Sequence, residues 1–218
     1  MRDPAGAGRA PGGPRTVAGD APAARFDELP PYVVPHNPAP VRILWNDGEL
    51  LLVDKPDLLL SVPGRHPLNH DCMITRLQRR FADALIVHRL DLDTSGVMMV
   101  ARGKAMQGAL SRLFQERAVH KRYRAWVAGT VGEDRGTVDL PIARDWERRP
   151  LQKICHESGK RAVTHFTVLA REASRTLLEL EPVTGRSHQL RIHCRELGHP
   201  ILAATSMHHR RCWARRRA

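Results

Sequence analysis

The stretch VRILWNDGELLLVDKP sets two apolar runs on either side of Asn46-Asp47-Gly48, a turn-forming cluster, and predicts a β-hairpin. Further on, NHDCMITRLQRRF places Met73, Ile74, Leu77 and Phe81 at helical spacing, with Asn69 or Asp71 available as a cap. GKAMQGALSRLFQER puts Met106, Leu110, Leu113 and Phe114 on one face of a second helix, whose other face is polar or basic. The period then switches to two in HKRYRAWVAGTV. Tyr123, Ala125 and Val127 fall on one side, Arg122, Arg124 and Trp126 on the other. RAVTHFTVLARE and RTLLELEPV read as two more strands joined by a short polar turn. TGRSHQLRIHCREL reads as a last helix, with Thr184 or Ser187 near its cap and Leu190, Ile192 and Leu197 apolar. Hairpins and meanders interrupted by single helices predict an α+β fold, a mixed, mainly antiparallel sheet with a few helices. The order is not the regular β-α-β alternation of a dinucleotide-binding fold.

Composition narrows the functional classes. Residues 1–40 hold nine of the 16 prolines and few large apolar side chains, so a mostly disordered tail is expected there. No apolar run is long enough to span a bilayer, and the N-terminus lacks the hydrophobic core of a secretory signal. Lysine and arginine number 35 against 23 acids, a formal charge of +12, which favours a polyanionic partner, nucleic acid first. Cys72, Cys155, Cys194 and Cys212 are scattered without a C-x-x-C pair, so neither a zinc site nor a disulfide framework is expected, and a reducing cytoplasm fits. The glycine-rich phosphate-binding patterns are missing, and cofactor-free chemistry without a metal is the expectation.

One segment concentrates chemistry. HRLDLDTSG carries Asp91 and Asp93 two residues apart between apolar runs. The aspartic protease loop requires Asp-Thr-Gly or Asp-Ser-Gly and a second copy; here an extra residue separates Asp93 from Gly96, and only one copy exists. A plain reading makes Asp93-Thr94-Ser95-Gly96 a turn held by short polar side chains. That reading suits Asp93. It suits Asp91 less well, because Arg89 and apolar side chains surround it.

HRLDLDTSG resembles the catalytic motif of the RluA-type pseudouridine synthases, in which the catalytic aspartate follows His-Arg-Leu. Three further segments resemble the family in the right order: VDKPDLLLSVPGR, its Lys-Pro loop; HKRYRAWVAG, its tyrosine-bearing strand; and PVTGRSHQLRIHCRELGHPI, its Gly-Arg-Ser/Thr-His-Gln segment. The likeness runs from about Val41 to Leu202, the expected catalytic domain. Within the family, VDLPIARDWERRPLQKICHESGKRAVTHF and SVPGR resemble the branch that modifies both a tRNA anticodon stem-loop and a 23S rRNA hairpin.

The resemblance implies isomerisation of uridine to pseudouridine in structured RNA, in the cytoplasm, by a monomer with no cofactor. It implies Asp91 as catalyst, acting as nucleophile or assisting proton abstraction. Arg191 would pair with Asp91, and Tyr123 would stack on the target base. Arg89 and His88 would enter the space that the flipped base leaves. Lys55, Arg65, Arg122, Arg124 and a basic helix over 104–121 would contact phosphates. The rival expectation is a catalytically impaired RNA-binding protein of the same fold.

The chain departs from the family twice. The family reads Lys-Pro-x-Gly-Leu where this chain has Lys55-Pro56-Asp57-Leu58-Leu59, so the turn is strained if it needs positive φ at Leu58. After GHPIL, residues 203–218 read AATSMHHRRCWARRRA, unlike the family's continuation. Shifted by one base, the first of these codons can encode Gly-Asp-Leu-Tyr-Ala-Pro-Pro. The expectation is that 203–218 is a frameshift product and that the native C-terminus is missing. Its five arginines leave +7 for the rest, so the basic surplus survives.

Overall fold

The computed structural model describes residues 33–147 and 151–202. The expected basic C-terminal segment lies outside them, as does the expected tail up to residue 32. Residues 33–40 do not behave as a tail. Val34 N donates to Asn69 Oδ1 at 2.8 Å, Asn37 Nδ2 to Asp57 O at 2.6 Å, and Arg76 holds the carbonyls of Asn37 and Ala39. The arm is fixed through its backbone polar groups, which a proline-rich composition does not reveal.

The first sheet has the order β1 (Arg42–Asn46), β2 (Leu50–Lys55), β4 (Gly96–Arg102) and β3 (Ala84–Ile86), antiparallel throughout. Its hairpin turns at the expected cluster. Asp47 Oδ1 accepts from Glu49 N and Leu50 N, and Gly48 takes φ 97. Helix α1 (Met73–Gln78) covers the inner face with Met73, Ile74 and Leu77. Its N-cap is Cys72, not Asn69 or Asp71. Asn69 is occupied by the N-terminal arm and Asp71 by a bidentate pair with Arg76, so Thr75 and Cys72 form the capping box instead.

Helix α2 (Gly103–Gln115) packs on β3 and β4. It buries Leu110, half-buries Met106 and Phe114, and leaves Leu113 exposed. The basic helix expected to 121 stops at Gln115, because Arg117 turns left-handed (φ 60) and Ala118 N caps Leu113 O at 2.9 Å.

The second sheet has the order β5 (Tyr123–Ala128), β10 (Arg175–Pro182), β9 (Val163–Arg171) and β6 (Arg135–Asp139), again antiparallel. A small hairpin joins β7 (Ile142–Arg144) to β8 (Gln152–Ile154). Helix α3 (Gln189–Glu196) lies on β10, and residues 199–202 run beside β5 through Ala128 N to Pro200 O and Leu202 N to Trp126 O. The β5 alternation holds as expected: Val127 is buried in the second core, while Arg122 and Arg124 are exposed. Tyr123 packs against both the first core and the second. The seam between the two sheets therefore runs past that tyrosine.

Candidate active site

The loop that leaves β3 and enters β4 carries HRLDLDTS across this seam, held by two side chains from other segments, Ser61 and Lys55, and by its own His88. Ser61 Oγ donates to Leu90 O at 2.7 Å and accepts from Leu90 N at 3.1 Å, satisfying both polar groups of one buried residue. Lys55 is 0 % exposed, and its ammonium donates to Leu59 O (2.6 Å), Pro56 O (2.8 Å) and Leu92 O (3.3 Å). Burial pushes that ammonium down to about 8, against the opposing pull of Asp57, Asp91 and Asp93. Lys55 was expected at a phosphate. That role is corrected, since the amine is enclosed and engaged by carbonyls under the loop.

The third anchor is His88, whose Nε2 accepts from Met99 N at 3.0 Å while its ring stacks on Phe114 with centroids 4.6 Å apart. Burial, followed by the charge of Lys121, pushes the imidazole down to about 4, so it is neutral at pH 7. His88 thus faces the α2 side of the sheet and not a departing base, another correction. Its neighbour Arg89 is exposed.

Within the loop, Thr94 N donates to Asp91 O at 3.1 Å, so the turn spans Asp91–Thr94 and Gly96 (φ 125) already opens β4. The turn expected over Asp93–Gly96 starts two residues early. Asp93 is also more than a turn former. Its side chain is 1 % exposed, and its Oδ2 accepts from Arg191 Nη2 at 2.9 Å. Its Oδ1 has no partner among the described residues.

Arg191, in the first turn of α3 and 11 % exposed, also places Nε 3.4 Å from Asp91 Oδ2. The expected Asp91–Arg191 pair is present, yet the shorter contact goes to Asp93. One guanidinium therefore serves two carboxylates, one enclosed and one (Asp91) with 35 % of its side chain open.

The segment opposite is held from within. Thr184 Oγ1 donates to Gln189 Oε1 at 2.7 Å, and Arg186 N donates to the same oxygen at 3.0 Å. Gln189 Nε2 in turn donates to Val163 O and Thr164 Oγ1. Thr184 and Ser187 were expected near the cap of α3. Instead the N-cap is His188 in the left-handed region (φ 54, ψ 21), and it makes no side-chain capping bond. Its Nδ1 lies 3.0 Å from Asp91 Oδ2. His188, Gln189 and Ser61 all stood in quoted motifs, but nothing in residue type marked them as contacts of the Asp91 loop.

Tyr123 is half-buried beside this group. Burial first, then the charge of Asp91, pushes its phenol above the usual value. Arg122 and Arg124 alternate with Tyr123 and so project from the opposite face of β5, where they meet Glu181 (3.0 Å) and Glu179 (3.9 Å). The structure does not bring them to Asp91. Arg65 is exposed.

Residues 49–196 match the family model described as RNA pseudouridylate synthase, a span that contains Lys55, Asp91, Tyr123, His188 and Arg191. The chain belongs to this family. It is 49 % identical over 176 residues to the dual-specificity RNA pseudouridine synthase RluA of Vibrio vulnificus, covering 78 % of this chain and 70 % of that protein. It is also 49 % identical over 161 residues to the protein of the same name from Escherichia coli K12, covering 73 % and 74 %. Among solved structures, human RNA Pseudouridylate Synthase Domain Containing 1 superposes with a TM-score of 0.63 at 33 % identity, over 80 % of this chain and 70 % of that one. Pseudouridine synthases are isomerases, and the α+β fold with antiparallel sheets agrees with these neighbours.

Proposed function

We propose that this chain converts specific uridines to pseudouridine in structured RNA, with tRNA and 23S rRNA as the substrate classes. The observation that carries the reading is the half-open Asp91 carboxylate, within contact of Arg191 and His188 in the family's catalytic segment. The relatives at 49 % identity are named dual-specificity RNA pseudouridine synthases, which supports an RNA substrate and more than one kind of it. The choice of tRNA and 23S rRNA follows from the branch that segments 138–166 and 61–65 resemble.

Asp91 initiates cleavage of the C1′–N1 bond, by attack on C1′ or by taking a proton from the sugar. The freed uracil turns, and C1′ bonds to C5 as the Asp91–C1′ bond breaks or the sugar regains its proton; the C5 hydrogen leaves as a proton and N1 takes one up. Nothing is oxidised or reduced, so the chain's own side chains suffice. Arg191 keeps Asp91 charged in a partly enclosed site. The Tyr123 ring, apolar and half-buried, offers a stacking face for the extruded base, and the exposed Arg89, two residues before Asp91, is the guanidinium that would fill the vacated stack. A single chain supplies the whole set, so a monomer suffices, working in the cytoplasm where these RNAs reside. Among the described residues no helix is long and apolar enough to cross a membrane.

Tritium release from unmodified tRNA and 23S rRNA fragments carrying 5-tritiated uridine tests the reading. Wild type releases tritium and Asp91→Ala releases none. RNA binding without release by wild type would instead make the chain a binding protein of this fold.

A further inference from the structure

We propose that His188 is a positioning residue that holds the Asp91 carboxylate in its working orientation by donating Nδ1–H to Oδ2. This inference rests on the isomerase reading above. Three observations converge on it. First, Arg191 gives its shorter contact, 2.9 Å, to Asp93 and stands 3.4 Å from Asp91, whereas His188 Nδ1 is 3.0 Å from Asp91 Oδ2. The arginine supplies charge, but its fork is aimed at the enclosed neighbour. The histidine makes the tighter contact with Asp91.

Second, His188 occupies the N-cap of α3, where Ser, Thr, Asp or Asn normally accepts a bond from the first turn, and it makes no such bond. The side chain is turned from the helix towards the carboxylate. Third, its backbone sits at φ 54, ψ 21, a conformation that strains a residue with a Cβ and ring. The Gln189 clamp on Thr184 O–H and Arg186 N–H fixes the segment just ahead of it, so the strain is maintained by the surroundings. Because the contact runs from Nδ1–H to a carboxylate oxygen, hydrogen-bond donation alone performs the task and no proton needs to move.

Two replacements separate this role from a structural one. Glycine relieves the left-handed backbone and removes the ring. Asparagine also tolerates that backbone and places its amide nitrogen near the position of Nδ1. His188→Gly is expected to melt at or above the wild-type temperature while kcat in tritium release falls about 10- to 100-fold and KM changes less than about threefold. His188→Asn is expected to recover most of the loss in kcat.

A purely structural residue would give the reverse for glycine, kcat retained or falling only with the melting temperature, and that result overturns the proposal. Asparagine no better than glycine would also overturn it, because the missing group would then be something other than the Nδ1 donor. A wild type that binds but never releases tritium defeats the isomerase reading itself, and the positioning role with it.

Discussion

The two loops that meet across Arg191 are stabilised in different ways. The Asp91 loop is held from outside: Ser61, Lys55 and the Met99 amide reach in from β2, its following loop and β4, and most of these bonds join segments about 30 to 40 residues apart in the chain. The His188 loop is also tied to β9, through Gln189 Nε2, but it adds an internal clamp, Gln189 Oε1 accepting from Thr184 and Arg186 within five residues, and it carries backbone strain. A loop pinned by distant side chains depends on the whole first core for its geometry. An internal clamp adds local rigidity, which here aims His188 at Asp91. Catalytic geometry then arises where the externally held loop meets the internally clamped one.

The largest expected effect comes from cutting the bond that joins them. Arg191→Gln leaves two carboxylates near each other, one of them 1 % exposed, without their cation. Removing one member of such a buried pair costs about 3–5 kcal/mol, read as a lowered urea midpoint, and tritium release is abolished. An Arg191→Gln protein as stable as wild type would mean that the loops are held apart from that bond.

Next comes Lys55→Met, which keeps the apolar stem and strands three carbonyls, for about 1–3 kcal/mol. Its pH signature has a fixed sign. The folded-state value near 8 lies below the unfolded one near 10.5, so the buried charge costs stability while both states are protonated. Between those values the unfolded chain binds more protons, and Lys55 adds stability as pH rises. The difference in urea stability between wild type and Lys55→Met, followed from pH 7 to 10, should therefore grow with pH. A flat difference would place the ammonium in solvent.

Asp93→Ala tests the enclosed carboxylate separately. It is expected to cost about 1–2 kcal/mol, because Arg191 keeps Asp91 as a partner, and to keep measurable tritium release. Complete loss of release in a folded protein would transfer the catalytic role from Asp91 to Asp93. The smallest effect belongs to Leu58, which sits at φ 51 in the Lys-Pro turn. Leu58→Gly relieves the left-handed strain and adds unfolded-chain entropy, for a net gain of about 0.5 kcal/mol in thermal melts.

The sequence by itself determined the elements with a clear period. The hairpin at Asn46–Gly48, the three helices and the two faces of β5 follow from side-chain spacing, because burial on one face imposes a period of 3.6 or two. The pairing of Asp91 with Arg191 came from the family that their motifs resemble, not from spacing. The strain at Leu58 was readable as a missing glycine.

What only the tertiary structure decided was the destination of polar groups, since a charge or amide has no period to betray its partner. Lys55 and Arg122 are both cations in basic stretches, yet one is enclosed under a loop and the other meets Glu181 on the far face of a sheet. Asp91 and Asp93 differ by two positions, and only the fold encloses one and leaves the other open. His188 became a neighbour of Asp91 through a left-handed backbone angle 97 residues away, a choice of conformation that no residue pattern prescribes.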